Sequence, residues 1–570
     1  MWAAILPRLT GSAKVVTLRS TLVNRDLPVD LTRRQLLQAG GAAVAAHVLG
    51  PDIVSAQETP RRGGVFRIRG EDATTGFDPH LVANHHRIAT NLSFTHSRLV
   101  KVKAGPSVTP GTQPLEPDLA ESWSQPNDRT YVFKLRKGVR WHPKPPVNGR
   151  ELTADDVKYT YDRFLQVKGN PNRSTLGHIE KIDVVDRSTV KFTLSEPFGW
   201  FLDYLANTVT WIVPREAVEQ FGDLRRAEAC IGTGPWMLER YEPNTRLTFV
   251  RNKDYFVPGL PYADGVEVTV DEDPSSRLAS WIAGKYDFAP EYGQCVRRLD
   301  LPVAQQRRPG LRTQDFVVLF GAYTAMKLDR EPFRDVRVRR ALGIADDWKQ
   351  ILETNAWSLG KGLPNPAVPA ALREWAIPID QLTPTGRRLY ERDVPAAKRL
   401  LAEAGFPQGF KTTVEATLAW SPDYVDALQV TMSGWKDAGI DAELKSKDFG
   451  AYMATTIYGK FDKLGHGLRG GSPIADITLY NAHYPGEPLN ASGVDDPKLN
   501  EMLRLQRRTL DVAKRREIVF DIQRYLAEQA YYTYGPSVST VAAWDPRIRN
   551  FAPNIGHDYG GRLMAAWLAK

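Results

Sequence analysis

Thr130 to His142 reads TYVFKLRKGVRWH, and Asn148 to Val157 reads NGRELTADDV. In the first stretch Tyr131, Phe133 and Leu135 alternate with Val132, Lys134 and Arg136, the period of a strand with one buried face. In the second, Thr153 stands where an N-cap hydroxyl belongs and Asp156 follows three residues on. Val157, Tyr161, Phe164 and Leu165 then recur at helical spacing. That position makes Asp155 and Asp156 a helix start rather than a catalytic carboxylate pair.

The same alternation of strand and helix continues outward. Phe66 and Ile68 oppose Val65, Arg67 and Arg69 in Gly64 to Gly70, and Val190, Phe192, Leu194 and Val266, Val268, Val270 repeat the period of two. Antiparallel pairing is expected wherever one face stays polar. Pro395 opens a helix that Gly405 closes, Tyr424, Leu428, Met432 and Trp435 form a stripe ending at Gly439, and Lys514 to Gln529 carries a third helix. Gly232-Thr233-Gly234-Pro235 lacks the Lys-Ser/Thr of a phosphate loop and reads as a tight turn. No Ser-His-Asp or nucleophile-elbow pattern is present, so hydrolysis has no support.

Near the start, Thr32-Arg33-Arg34-Gln35-Leu36-Leu37 precedes a weakly apolar Ala/Gly-rich run from Ala39 to Leu49, and Val54-Ser55-Ala56 follows as a small-x-small cleavage signal. This order predicts a twin-arginine export peptide over residues 1–56, with a mature chain from near Gln57. The run is too short and too rich in Ala and Gly for a spanning helix. Without the first 56 residues the formal charge falls from +9 to about +6, with the signs interspersed, so nucleic-acid binding is not indicated. Over 500 residues are too many for one core, and 42% hydrophobic content fits an ordinary globular protein of two to four domains. Cys230 and Cys295 are the only cysteines; they could pair or stay as separate thiols, and neither lies at the cleavage site to carry a lipid anchor.

Several segments, in order, resemble one family: Gly63 to Phe66 with Phe77 to His80, Leu119 to Trp123, Thr130 to His142, Asn148 to Val157, Ile231 to Trp236, Asp254 to Phe256, Pro332 to Leu342 and Ala397 to Phe406. They are similar to the extracytoplasmic solute-binding proteins of peptide/nickel ABC importers, family 5. The resemblance implies an α/β clamshell of the large two-lobed periplasmic-binding-protein type, with a β-rich subdomain inserted in lobe I. Lobe I would comprise 62–98, 228–318 and 536–570, the insert 99–227 and lobe II 319–535, with hinges near Phe316 to Tyr323 and Tyr534 to Ser539. Such a protein is a soluble, unlipidated, monomeric periplasmic receptor and not an enzyme. It captures a peptide or peptide-like solute and delivers it to the inner-membrane permease, after leaving the cytoplasm through the Tat machinery.

Peptide-binding relatives hold the solute's ammonium with an acid in a lobe II segment that corresponds to Gly470 to Asp476. Ser472 stands where that acid is expected, and Asp476 could substitute by a small loop shift. Dipeptide-type relatives hold the carboxylate with an arginine just before the Tyr424 helix, yet Lys411 to Met432 contains none. Loss of such a charge-assisted bond costs about 1.5–3 kcal/mol. The candidate ligand-binding residues are therefore Tyr323, Trp420, Gly471, Ser472 and Asp476, with Phe77 and His80 at the lobe I rim. The departures admit a receptor for an oligosaccharide, an opine-like conjugate or a nickel complex. His80, His85, His86 and His96 crowd one stretch, but no carboxylate or Cys accompanies them at ligand spacing, so neither metal nor cofactor is assigned.

Overall fold

The computed structural model describes residues 58–71, 73, 76–81, 85–271, 273–289, 296–469 and 472–569, with the backbone alone at 85–88 and 274–275. The twin-arginine stretch, its cleavage site, Cys295 and Gly471 lie outside the described residues. Residues 60–570 form one compact unit.

Strand Val65–Gly70 buries Phe66 and Ile68 and pairs in register with Gly265–Val270. That pairing is parallel, although the polar face had suggested an antiparallel neighbour. These strands belong to an eight-stranded sheet that also holds Trp236–Glu242, Arg246–Arg251, Arg312–Val317 and Ser537–Trp544. A second, five-stranded sheet runs in the order Ile440–Ser446, Phe410–Ala416, Leu464–Arg469, Gly321–Met326, Tyr532–Tyr534.

The chain passes from the first sheet to the second between Val317 and Gly321 and returns between Tyr534 and Ser537. The two passages run side by side. Backbone bonds tie them, the Gly535 N–H donating to the Ala322 carbonyl at 2.8 Å and the Val318 N–H to the Val538 carbonyl at 3.0 Å, while Asn365 braces the return passage at Gly535 and Ser537. The fold is therefore a two-lobed α/β arrangement with paired crossings.

TYVFKLRKGVRWH begins with strand Thr130–Leu135, the centre of a four-stranded antiparallel layer. Tyr131, Phe133 and Leu135 are buried as the alternation requires, and Phe133 meets Phe192 edge to face at 5.5 Å. Helix Ala154–Gln166 starts at the expected cap: the Thr153 N–H donates to Asp156 Oδ2 at 2.9 Å, and Arg150 braces the same carboxylate. The layer packs directly on helices of the second lobe. Trp200 lies 4.4 Å from Trp375, centroid to centroid, and one apolar cluster runs through both.

The Gly232-Thr233-Gly234-Pro235 turn brings the chain back from this layer to the first sheet. The Gly232 N–H donates to His142 Nδ1 and His142 Nε2–H donates to the Gly234 carbonyl, both at 3.2 Å. A Cβ on Gly232 would lie 1.9 Å from the Thr95 carbonyl oxygen. Backbone cannot yield as a side-chain tip does, so Gly232→Ala is expected to destabilise by about 3 kcal/mol or more, read as a lower urea midpoint. An unchanged midpoint would mean that this turn is not held against Thr95.

Candidate functional site: the crossing edge of the second sheet

In open α/β sheets a solute settles outside the carboxyl ends of parallel strands. Phe410–Ala416 and Leu464–Arg469 are parallel neighbours, and their carboxyl ends lead to Trp420 and to Arg469 and Ser472. Antiparallel Gly321–Met326 enters at the same edge, directly after the first crossing, bringing Tyr323 there.

Trp420 is half-buried, edge-on to Phe449 at 4.9 Å and to Tyr452 at 6.3 Å. Its position in the loop before helix Pro422–Asp437, capped by Ser421 Oγ, leaves a broad apolar face at the edge. Tyr323 is 5% exposed. A Cβ on its cross-strand partner Gly467 would stand 1.7 Å from the Tyr452 hydroxyl, so any larger residue there would push the buried Tyr452 ring aside. Ser472 Oγ accepts the Ile474 N–H at 3.2 Å and shapes the turn into helix Ala475–His483.

Arg469 was not singled out from the sequence. Its guanidinium lies 4.6 Å from the Tyr323 ring centroid and 5.0 Å from that of Tyr532. The available signal was a lone cation ending the apolar strand Leu464–Leu468, immediately before the Gly-Gly-Ser segment.

The structure corrects three expectations. Asp476 cannot substitute for the missing acid: it is fully buried and its carboxylate is saturated. Arg507 Nε donates to its two oxygens at 2.9 and 3.0 Å, the Tyr204 hydroxyl donates at 2.7 Å, and Gln506 Nε2 donates to Oδ1. Phe77 is 2% exposed, edge-on to Tyr241 at 5.4 Å inside the first lobe, not at its rim. His80 is likewise enclosed. Arg163 Nη1 donates to its Nδ1 at 2.7 Å and to Asp78 Oδ1 at 3.1 Å, tying the first loop to helix Ala154–Gln166. Burial alone would raise the Asp78 carboxyl, but the Arg163 bonds outweigh it and hold it below the usual range.

His96 is also buried, its Nδ1 2.7 Å from Thr95 Oγ1, and Cys230 is a buried free thiol 3.5 Å from the same hydroxyl. Burial pushes that thiol up to about 11, so it is an unreactive packing group. Among the described residues no three His, Cys, Asp or Glu side chains are grouped to hold a metal ion.

Next to Ser472, Pro473 and Ile474 line a small cavity of about 80 Å³ that opens to solvent. Arg98 and Asp203 enter it from the chain around the four-stranded layer, and Asn554 and Asp558 from the last segment of the first lobe. The second lobe thus offers a ringed edge beside a cavity.

Residues 114–488 match the model of the bacterial extracellular solute-binding proteins, family 5. The chain is 28% identical over 521 residues to di/tripeptide-binding protein 1 of Pseudomonas aeruginosa, covering 85% of this chain and 92% of the relative. Among solved structures it resembles the periplasmic binding protein DppA of Helicobacter pylori in complex with the peptide STSA. The TM-score there is 0.72 and the identity 22%, over 90% of this chain and 99% of the other. It also resembles AgaA of A. tumefaciens R10 in complex with agropinic acid, with a TM-score of 0.70 and 26% identity over 89% and 99% of the two chains. The two-lobed α/β fold is the one these solute-binding structures share. The chain belongs to the family 5 extracellular solute-binding proteins. It is the binding component of an ABC transporter, working with permease partners, and not an enzyme.

Proposed function

We propose that this receptor captures a peptide or peptide-like solute in the periplasm, between its two lobes, and hands it to the inner-membrane permease. Supporting this is the convergence of Tyr323, Trp420 and Ser472 on the edge of the second sheet that meets both crossings. Lobe I takes 62–98, 228–318 and 536–570, the insert 99–227 and lobe II 319–535, so that the crossings serve as hinges. Ligand binding then appears as a shift from open to closed, bounded by the difference in affinity between the two states. The protein works as an unlipidated monomer exported by the twin-arginine route.

A second reading, a non-peptide solute on the same edge, is favoured by one observation. Asp476 is saturated and Ser472 carries no charge, which leaves a peptide ammonium without its carboxylate there.

A thermal-shift panel on the chain without residues 1–56, refolded to strip carried ligand, tests both. A ligand at 100 times its Kd adds about 2.7 kcal/mol. Dipeptides to pentapeptides raising the melting temperature support the first reading; oligosaccharides or opine-type conjugates alone support the second; no response overturns both. Trp420→Ala is expected to weaken whichever solute binds by roughly tenfold through lost ring contact, with little change in unliganded melting. Unchanged affinity would remove Trp420 from the site.

A further inference from the structure

Arg469 carries a charge that nothing among the described residues neutralises. Nη2 reaches the Leu489 carbonyl at 3.5 Å, the neutral Tyr532 and Tyr323 hydroxyls lie beside the guanidinium, and Nη1 is buried without a hydrogen-bond partner. The two rings beneath it supply cation–π attraction, about 0.5–2 kcal/mol each. Their hydroxyls do not replace a counter-ion. The Tyr532 hydroxyl is already committed, donating to the Ala482 carbonyl at 2.9 Å and accepting from the Ser492 N–H at 3.0 Å. Nor does His483 contribute: its Nδ1–H donates to the Leu479 carbonyl and its Nε2 accepts from the Tyr534 hydroxyl at 3.2 Å. Taking an unpaired cation out of water is costly. Buried Arg163, Arg507 and Arg98 are paired with Asp78, Asp476 and Asp558, and buried Arg339 and Arg515, which have no acid, each place donors on two or more backbone carbonyls, where Arg469 has one long bond of that kind.

The position is as informative as the missing partner. Opposite Arg469 in register is Gly321, the first residue of the strand that leaves the crossing. Tyr534, cross-strand partner of Tyr323, is the last residue before the return crossing. The guanidinium therefore lies on the hinge edge, and three residues separate it from Pro473 at the cavity wall. An arginine fork suits a carboxylate in two-pronged geometry.

We propose that Arg469 anchors a carboxylate of the transported solute, so that this receptor selects acidic solutes by their carboxylate rather than by an ammonium. The inference rests on the receptor reading above and adds the chemical class of the solute. A peptide C-terminus and an opine-type acid present the same group.

The test uses calorimetry on the signal-free protein with Met-Leu, its C-terminal amide, N-acetyl-Met-Leu, agropinic acid and the amide of agropinic acid. Wild type should bind a free acid about 10–100 times more tightly than the matching amide, and N-acetylation should matter little. Arg469→Gln should bring the acid down to the level of the amide, and Arg469→Lys should recover only part. Preference for Met-Leu identifies a peptide carboxylate, and preference for agropinic acid a conjugate. Retention of the acid-over-amide preference in Arg469→Gln overturns the proposal. So does a wild type that binds only neutral solutes, which leaves the receptor reading standing; binding of nothing sinks that reading and this one together. Unliganded Arg469→Gln should melt no lower than wild type, and a large fall would make Arg469 a structural prop instead.

Discussion

Asp476→Ala is expected to cost about 3–5 kcal/mol of stability, the loss typical when one partner of a buried ion pair is removed. The carboxylate is entirely buried, and four donor groups on Arg507, Tyr204 and Gln506 converge on it. Without it the Arg507 guanidinium stays enclosed against the rings of Tyr480 and Phe198 with no counter-charge. The Tyr204 hydroxyl and the Gln506 amide lose their acceptor as well. Trp200 Nε1 donates to Gln506 Oε1 at 2.6 Å, so the defect spreads into the contact between the four-stranded layer and the second lobe. The urea midpoint of the signal-free protein measures the loss. Asp476→Ala with Arg507→Leu should recover a good part of it, since the orphaned charge goes too. A loss below about 1 kcal/mol would mean that the carboxylate is free, and would return Asp476 to the list of groups able to hold a solute's ammonium.

This pair also marks the limit of what the sequence discloses. Local rules located the half-buried strand at Thr130–Leu135, the Thr153 cap and the helix closed by Gly405, because periodicity and capping involve neighbours a few residues apart. The family signatures carried the fold for a related reason: His142 clamps the Gly232 turn from 90 residues away, and both ends were recognised even though their contact could not be seen. Asp476 was misjudged because its partners lie 31 and 272 residues off. An acid with no visible partner reads as available, and only packing reveals that it is taken. Phe77 and His80 failed in the same way, since a loop after the first strand gives no hint that Arg163 will close over it. Arg469 is the converse case: a cation ending a strand reads as solvated until the rings and the missing acid are seen around it.

Acid should unfold this protein well before carboxylates in general are neutralised. His80, His96, His142, His466 and His483 are at most 3% exposed. Burial holds four of them at about 3 and His466 at about 4, against 6.5 for a free imidazole. Each is therefore neutral in the folded chain and protonated in the unfolded chain below pH 6.5. A base with a depressed folded value contributes stability that is complete above pH 6.5 and is lost progressively as pH falls from there toward 3. Each histidine removes about 1.4 kcal/mol per pH unit once the unfolded imidazole is charged. Four acids act in the opposite sense: burial raises Asp346 to about 8 and Asp203 to about 6 and lifts Asp118 and Glu487 above the ordinary carboxylate range, so these bind protons in the folded chain first. His178 is lowered by burial as well, so the imidazoles outweigh the acids and leave roughly 3–6 kcal/mol lost between pH 7 and pH 5, a large fraction of ordinary domain stability. Urea midpoints across pH 5–8 should show that slope. His142→Gln keeps an amide able to meet the Gly232 N–H and the Gly234 carbonyl while removing one titrating group, and it should flatten the slope by about 1.4 kcal/mol per pH unit. A midpoint that does not change from pH 7 to pH 5, or an equal slope in wild type and variant, would show that these imidazoles reach water and accept protons in the folded chain.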